Sequence, residues 1–177
     1  VASISGTAGT ITNNSIGTAT LYVGGGTGGS STASFSGAIQ DGTGALNLTK
    51  EGSGTQTLTG TLAYSGNTTV SQTGTLSINS ASLAITSTVS IGADAFLNLA
   101  YTGTDTVAAL VIDGVTQEDG EYGATGSGAE FTTDRITGDG RLLVESSSGG
   151  YATWASDNGA SANPDEDHDN DGVKNGL

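Results

Sequence analysis

The 177-residue sequence has no cysteine, one proline, one histidine and only four lysine and arginine side chains. Without cysteine it can form no disulfide, thiolate metal site or cysteine nucleophile. Four scattered basic side chains cannot neutralise a track of phosphates, so we expect no binding to nucleic acid or to an anionic membrane surface. The longest apolar run, VAALVI at 107–112, is far shorter than a bilayer span. We therefore expect no membrane insertion.

The single histidine also restricts catalysis. Any Ser-His-Asp arrangement has to use His168, which lies between Asp167 and Asp169 in a segment that is better suited to a metal ion. We expect His168 to be an outward-pointing spacer and predict no catalytic residue.

Carboxylates are the other enzymatic route, since polysaccharide lyases and hydrolases use acids together with a base or cation. One segment clusters four acids, for which Arg135 and Arg141 are the available cations. The four are Asp113, Glu118, Asp119 and Glu121. Because acid clusters at turns usually lie on the surface, we keep an enzyme as the third hypothesis only.

The acidic side chains are concentrated toward the C-terminus. The formal net charge is −14. Residues 1–93 contain Asp41, Lys50 and Glu51, residues 94–150 contain ten acids and two arginines, and residues 151–177 contain six acids and one lysine. An acidic surface rich in hydroxyl groups favours an extracellular setting and divalent cations.

Short apolar bursts with a period of two residues recur between glycines, and this alternation is typical of β-strands. We expect the alternate apolar residues to point into one core: Leu46 and Leu48, Leu76 and Ile78, Leu83 and Ile85, Leu97 and Leu99, and Leu142 and Val144. Helical spacing is not sustained anywhere in residues 1–146, so the sequence predicts an all-β domain.

A sandwich, an antiparallel barrel and a solenoid all remain open from the strand pattern alone. Short connections, medium-sized aliphatic residues and an aromatic content of 5% favour a solenoid with three strands in each rung. Asn47 and Asn98, at the centre of two LNL bursts, are expected to join hydrogen-bonded ladders between rungs.

Residues 33–78 resemble the autotransporter-associated β-strand repeat, also called the passenger-associated transport repeat. The matching positions are Phe35, Ser36, Gly37, Ile39, Leu46, Leu48, Lys50, Gly52, Gly54, Thr55, Leu58, Gly60, Tyr64, Gly66, Thr68, Thr69, Val70, Gly74, Thr75 and Leu76. Gln56 departs from the pattern, because a smaller or aliphatic residue is commoner there. The resemblance implies a right-handed parallel β-helix, here over residues 1–146, in a secreted or surface-anchored bacterial protein.

The composition changes after a small polar linker at 147–153. The acidic segment 154–177 resembles the calcium loops of EF-hand-like and thrombospondin type 3-like proteins, with oxygen ligands at alternate positions and Gly172 at the turn. The predicted Ca²⁺ ligands are Asp167, Asp169, Asp171, the backbone carbonyl of Val173, and Asn175. The twelfth ligand would fall at position 178, so we expect a truncated loop and a chain that belongs to a longer protein.

These observations predict a structural role, as a stalk, a surface layer or a homopolymeric filament that self-associates through the solenoid ends. An adhesin or glycan-binding module is the main alternative. Its aromatic candidates are Tyr64, Tyr101, Tyr122, Tyr151 and Trp154, and we expect Tyr64 and Tyr122 to serve in packing instead.

Overall fold

The structure is a computed structural model that describes residues 3–25 and 29–145. The chain divides after Val144 into two units, and every element described here belongs to the first. Within the described ranges it is an all-β protein without a helix. Its strands are β1 (Thr10–Asn13), β2 (Ala19–Val23), β3 (Ala33–Phe35), β4 (Ala38–Asp41), β5 (Leu46–Lys50), β6 (Thr55–Leu58), β7 (Leu62–Ala63), β8 (Thr68–Val70), β9 (Thr75–Ile78), β10 (Thr88–Ile91), β11 (Phe96–Val107), β12 (Ala109–Ile112), β13 (Val115–Thr116), β14 (Gly120–Gly123), β15 (Phe131–Thr132) and β16 (Ile136–Val144).

The strands form three sheets, and most neighbours in them are parallel. The orders are β1-β4-β7, β13-β12-β10-β8-β5-β2 and β15-β14-β16-β11-β9-β6-β3. From β1 to β9 the chain visits the three sheets in strict rotation, so each strand pairs with the strand three places further along. This β-helix-like arrangement agrees with the expected all-β class.

The strand register repeats after roughly one layer of chain in most of the parallel pairs. In the six-stranded sheet Leu48 pairs with Thr68, 20 positions later, and Thr68 pairs with Val89 after a further 21. Ala19 pairs with Leu46, 27 positions later. The pairs that join β1 to β12 are thus 20 to 28 positions apart, whereas Leu97 in β11 pairs with Ile136 in β16, 39 positions later.

The core is built from the inward residues of these strands, which stack on their equivalents in neighbouring layers. Leu58 pairs with Ile78, and Ile78 with Leu99, and all three are buried. Burying one such side chain fully stabilises the fold by roughly 1.5–3 kcal/mol. The structure confirms burial of nine predicted core residues, Leu46, Leu48, Leu76, Ile78, Leu83, Leu97, Leu99, Leu142 and Val144.

The prediction for Ile85 was wrong, since its side chain is 63% exposed. The segment LAI at 83–85 is not a strand. It leads into a turn in which Ser87 N donates to Ala84 O. Among the described residues, the chain after β9 adds no further strand to the three-stranded sheet. Leu83 is therefore buried in the core, whereas Ile85 has no strand on which to pack.

Asn47 and Asn98 both form the predicted hydrogen bonds between layers, but in two different sheets. Asn47 Oδ1 accepts from Asn67 N at 2.8 Å, and Asn67 Oδ1 accepts from Thr88 N at 2.9 Å. Asn98 lies in β11, in a different sheet, and donates to Ser77 Oγ at 3.1 Å. The two LNL bursts look alike in sequence but occupy different sides of the fold.

Antiparallel strands occur only near the C-terminal end of the described region. A tight Asp113-Gly114 turn, with positive φ at both residues, folds β13 back against β12. β14 runs antiparallel to β16, and β15 pairs with β14. These strands finish two of the sheets with a direction opposite to the layers beneath.

Candidate functional sites

The predicted calcium ligands Asp167, Asp169, Asp171, Val173 and Asn175 lie outside the described residues, as do His168, Tyr151 and Trp154. In the part of the chain that the structure describes, no group of three or more His, Asp or Glu side chains is placed to hold a metal ion. The calcium assignment therefore stays a prediction.

The four-acid segment is split by the fold. Asp113 Oδ1 lies 3.4 Å from Arg135 Nε, at the β12–β13 turn. Glu121 lies in β14, where its Oε2 accepts from Arg141 at 3.0 Å and its Oε1 accepts from Thr104 Oγ1 at 2.7 Å. Each arginine thus serves a different acid, in an arrangement that joins neighbouring segments.

The two arginines have further contacts that fit this structural role. The Arg135 guanidinium lies 5.8 Å from the centre of the Phe96 ring. Arg141 Nε is buried without a hydrogen-bond partner, while Nη1 of the same guanidinium donates to Glu121 Oε2. Exposed ion pairs contribute little to stability, typically about 0–1 kcal/mol, so these pairs act mainly in positioning.

Lys50 is the residue whose environment the sequence did not reveal. It occupies an inward position of β5, with Val23 and Val70 as its register partners, and its side chain is 0% exposed. The ammonium donates to the carbonyls of Glu51, at 2.5 Å, and Gly52, at 3.2 Å. Burial lowers the pKa of Lys50, and the nearby Glu51 charge works in the opposite direction.

Glycines make room for this ammonium. A methyl group on Gly74 would overlap both Lys50 Nζ and the carbonyl oxygen of Gly52. A methyl group on Gly24 would likewise collide with the carbonyl of Glu51. The alternation of LNLTK placed Lys50 on the inward face, which was the available signal. The two carbonyls belong to the residues that directly follow Lys50, whereas Gly24 and Gly74, which leave room for the ammonium, are more distant in sequence.

Gln56, the departure from the repeat pattern, has a clear structural use. It is buried in β6 opposite the small Ala33. Its amide binds the backbone of Ile4 on both sides, with Ile4 N donating to Oε1 at 3.1 Å and Nε2 donating to Ile4 O at 2.9 Å. The side chain thereby replaces a strand neighbour and fixes the segment before β1.

A buried polar cluster surrounds Asp105 in β11. Its Oδ2 accepts from the backbone N–H groups of Ser82, at 2.8 Å, and Leu83, at 2.9 Å. Burial raises the pKa of Asp105, although these donors and that of Thr106 act to lower it. Asp105 thus anchors the irregular segment that replaces a strand after β9.

Two tyrosines belong to the same neighbourhood. Tyr64 is buried and its hydroxyl is 2.7 Å from Thr68 Oγ1, and burial raises its pKa to about 12. Burial also raises the pKa of Tyr101, whose hydroxyl has no hydrogen-bond partner.

Tyr122 is buried and stacks on Phe131 with ring centres 4.9 Å apart, so the packing predictions for Tyr64 and Tyr122 are confirmed.

A polar groove of about 450 Å³ follows the corner at which the seven-stranded sheet passes to the three-stranded sheet. Ser36, Thr59 and Asn79 each follow the last residue of a strand in successive layers, so they stack along it. Ser36 Oγ and Thr59 Oγ1 are 2.7 Å apart. The remaining lining residues are Gly60, Thr61, Leu62, Ser80 and Ser82. Such a surface offers hydrogen bonds but neither an aromatic platform nor a charge.

No protein-family model, curated protein or solved structure matches this chain. Within the described ranges no helix is long and apolar enough to cross a membrane. The repeat resemblance of residues 33–78 therefore stays a prediction from the residues themselves.

Proposed function

We propose that residues 1–146 form a right-handed parallel β-helix, related to autotransporter-associated repeat proteins, that serves as a structural module outside a bacterial cell. The observation that carries this proposal is the strict rotation of β1 to β9 among three sheets, with 20 to 28 residues between paired positions. Stacked layers of this kind build a rigid rod from a sequence with few large side chains.

The chemistry of the described residues supports a non-catalytic role. Asp113 and Glu121 hold arginines at separate places, and Asp105 is occupied by backbone N–H groups. Lys50 points to backbone carbonyls. These groups stabilise turns and segments that the stacked strands leave irregular.

The linker at 147–153 and the acidic tail at 154–177 complete the proposal. We assign Ca²⁺ to Asp167, Asp169, Asp171, Val173 and Asn175, because oxygen ligands at alternate positions suit a hard cation. A calcium-dependent tail fits a protein that works in the extracellular fluid. We further propose self-association through the solenoid ends as the means by which the module forms larger structures.

Immunogold labelling of intact and lysed source cells tests this location. We expect labelling on the surface of intact cells or on material released from them. Labelling that requires lysis would contradict the extracellular role. Negative-stain images of the purified chain, with calcium and with chelator, show in parallel whether it forms filaments.

Glycan binding is the second candidate, and the hydroxyl-lined groove at Ser36, Thr59 and Asn79 is the observation that favours it. A glycan array distinguishes the two functions. The structural proposal expects no selective ligand, whereas selective binding that is lost in Thr59→Val and Asn79→Leu variants would establish the groove as a glycan site. Incubation with acidic polysaccharide and calcium tests the third hypothesis, since a lyase releases unsaturated products that absorb ultraviolet light.

A further inference from the structure

The polar groove lies where a strand is missing from the three-stranded sheet. β1, β4 and β7 stack in successive layers, and β7 is the last strand of this sheet among the described residues. The chain returns to the same corner after β9, but residues 79–87 form no strand there. The groove is lined by Leu62 of β7 and by three residues of that segment, Asn79, Ser80 and Ser82. It therefore borders directly on the edge of β7.

The missing strand has a cause in the sequence. A glycine recurs two residues before the paired residue of each layer, at Gly9, Gly37 and Gly60. A methyl group on Gly37 or Gly60 would overlap the carbonyl oxygen of the glycine in the layer below. Counting on from the pair Leu58 and Ile78, Ser80 falls opposite Gly60. Its side chain does not fit so close a contact, and the chain leaves the sheet.

The edge of β7 offers backbone hydrogen-bonding groups to the groove. Ile39 N donates to Thr61 O, and Ile39 pairs with Leu62. Because alternate residues of a parallel strand bond to opposite neighbours, the N–H and C=O of Leu62 point away from β4. Among the described residues neither group has a hydrogen-bond partner, although Leu62 is only 6% exposed. Backbone groups of a buried residue are nearly always paired, so this edge is suited to a ligand.

The chemistry of the groove favours a peptide as that ligand. A free N–H and C=O on a strand edge are complementary to the backbone of an extended chain, which binds in this way when it adds a strand to a sheet. The lining residues include no aromatic ring on which a sugar could stack and no charge to hold an ionic group. The groove volume of about 450 Å³ lies within the range of about 300–1,000 Å³ that is common for ligand sites.

We propose that the groove binds an extended, uncharged peptide segment of a partner protein as an added strand parallel to β7. Leu62 N–H donates to a peptide carbonyl, and Leu62 C=O accepts from the peptide N–H two residues further on. A glycine of the peptide lies over Gly60, because a side chain there meets backbone, as it does in the layers below. This site gives the proposed structural module a means of attaching another protein, and it does not depend on where the module is located.

A synthetic peptide with the sequence of residues 7–14, TAGTITNN, is the probe. It is uncharged and contains the glycine pattern of the stacked layers. Fluorescence anisotropy of the labelled peptide should show saturable binding to the full chain. The matched peptide with Gly9→Ala should bind at least about tenfold more weakly, because its methyl group meets the Gly60 carbonyl.

Two variants of the protein locate the binding. Ser80→Phe places a ring in the groove and should abolish peptide binding. Ala81→Phe is the matched control, since Ala81 is exposed and does not line the groove, and it should bind like the parent chain. Circular dichroism checks that both variants fold.

Hydrogen exchange on the parent chain tests the contact without any substitution. The Leu62 amide should exchange at least about tenfold more slowly when the glycine peptide is bound, because its N–H then has an acceptor. The alanine peptide at the same concentration should protect it less. This measurement decides the question even if Ser80→Phe does not fold.

No saturable peptide binding, equal binding of the two peptides, or unchanged Leu62 exchange in the presence of bound peptide would overturn the proposal. Selective glycan binding that Ser80→Phe removes, in a chain that does not bind the peptide, would also overturn it and would support the second candidate function. Cell labelling and electron microscopy are independent of these outcomes, so the structural role and the peptide site fail separately.

Discussion

Asp105 shows how one buried carboxylate holds an irregular part of the fold. The chain after β9 forms no strand in the three-stranded sheet, and its N–H groups at Ser82 and Leu83 have no strand to bind. Asp105 accepts from both with one oxygen. Burial removes water from this carboxylate and raises its pKa. The hydrogen bonds that it accepts offset part of that cost.

Asp105→Ala should therefore destabilise the protein by about 3 kcal/mol, because two buried N–H groups lose their acceptor. Urea unfolding followed by circular dichroism measures the change. The control is Asp94→Ala, at an exposed position, which should change the free energy of unfolding by no more than about 0.5 kcal/mol. Equal effects of the two substitutions would contradict the anchoring role.

The buried hydroxyl of Tyr64 should make the folded protein less stable in alkaline solution. Burial raises its pKa from 10.0 to about 12, so the folded chain keeps the proton after the unfolded chain has released it. The stabilisation is complete below pH 10 and is lost progressively as the pH rises from 10 to 12. Urea midpoints across this range should fall with pH.

The Tyr64→Phe variant isolates this contribution. It should unfold more readily at neutral pH, by about 1 kcal/mol, because the bond to Thr68 is lost. Its further decline above pH 10 should be shallower than that of the parent chain. An identical decline in both proteins would show that other groups cause the alkaline transition.

Among the elements, the turns limit how closely successive layers stack. The turn after β8 reaches Gly74, which lies against Gly52 of the layer below and against the Lys50 ammonium. No side chain fits there, because the neighbouring carbonyl is backbone and cannot move aside. The close approach lets Lys50 find its carbonyl partners without contact with water.

Gly74→Ala should be among the most destabilising single substitutions, at more than about 3 kcal/mol, because a methyl group there meets fixed backbone. Gly103→Ala is the control: it has a positive φ of 105° but open space around it, so it carries backbone strain alone. We expect it to cost about 1–2 kcal/mol. Thermal unfolding of both variants gives the order, and the reverse order would contradict the packing argument.

The sequence predicted inward strand positions correctly where the alternating residues belong to a sheet that continues on both sides, as at Leu46, Leu76 and Leu97. The same pattern failed at Ile85, because a strand also needs a neighbour and the three-stranded sheet ends at β7. Asn47 and Asn98 both bind the neighbouring layer as predicted, but the sequence did not show that they lie in different sheets. Identical local sequences carry no information about which of three sheets they join.

At the scale of the whole chain, calcium binding is the prediction that concerns the acidic segment 154–177, outside the described residues. Calorimetry on the full chain should show calcium binding that is lost in Asp169→Ala and Asp171→Ala, because each removes a carboxylate ligand. Asp157→Ala is the matched control, as an acid of the same tail outside the loop pattern. Unchanged calcium heat in the first two variants would remove the site assignment.

The sequence by itself determined the all-β class, most of the core positions and the uneven distribution of charge, because alternation and composition are local properties. The tertiary structure alone decided that Gln56 binds the backbone of Ile4 and that Asp105 binds Ser82 and Leu83, since these partners are distant in sequence. It also decided that β13 and β14, near the C-terminal end of the described residues, run antiparallel to the strands they pair with. Strand direction at a sheet edge depends on how distant segments meet, and no local pattern specifies that.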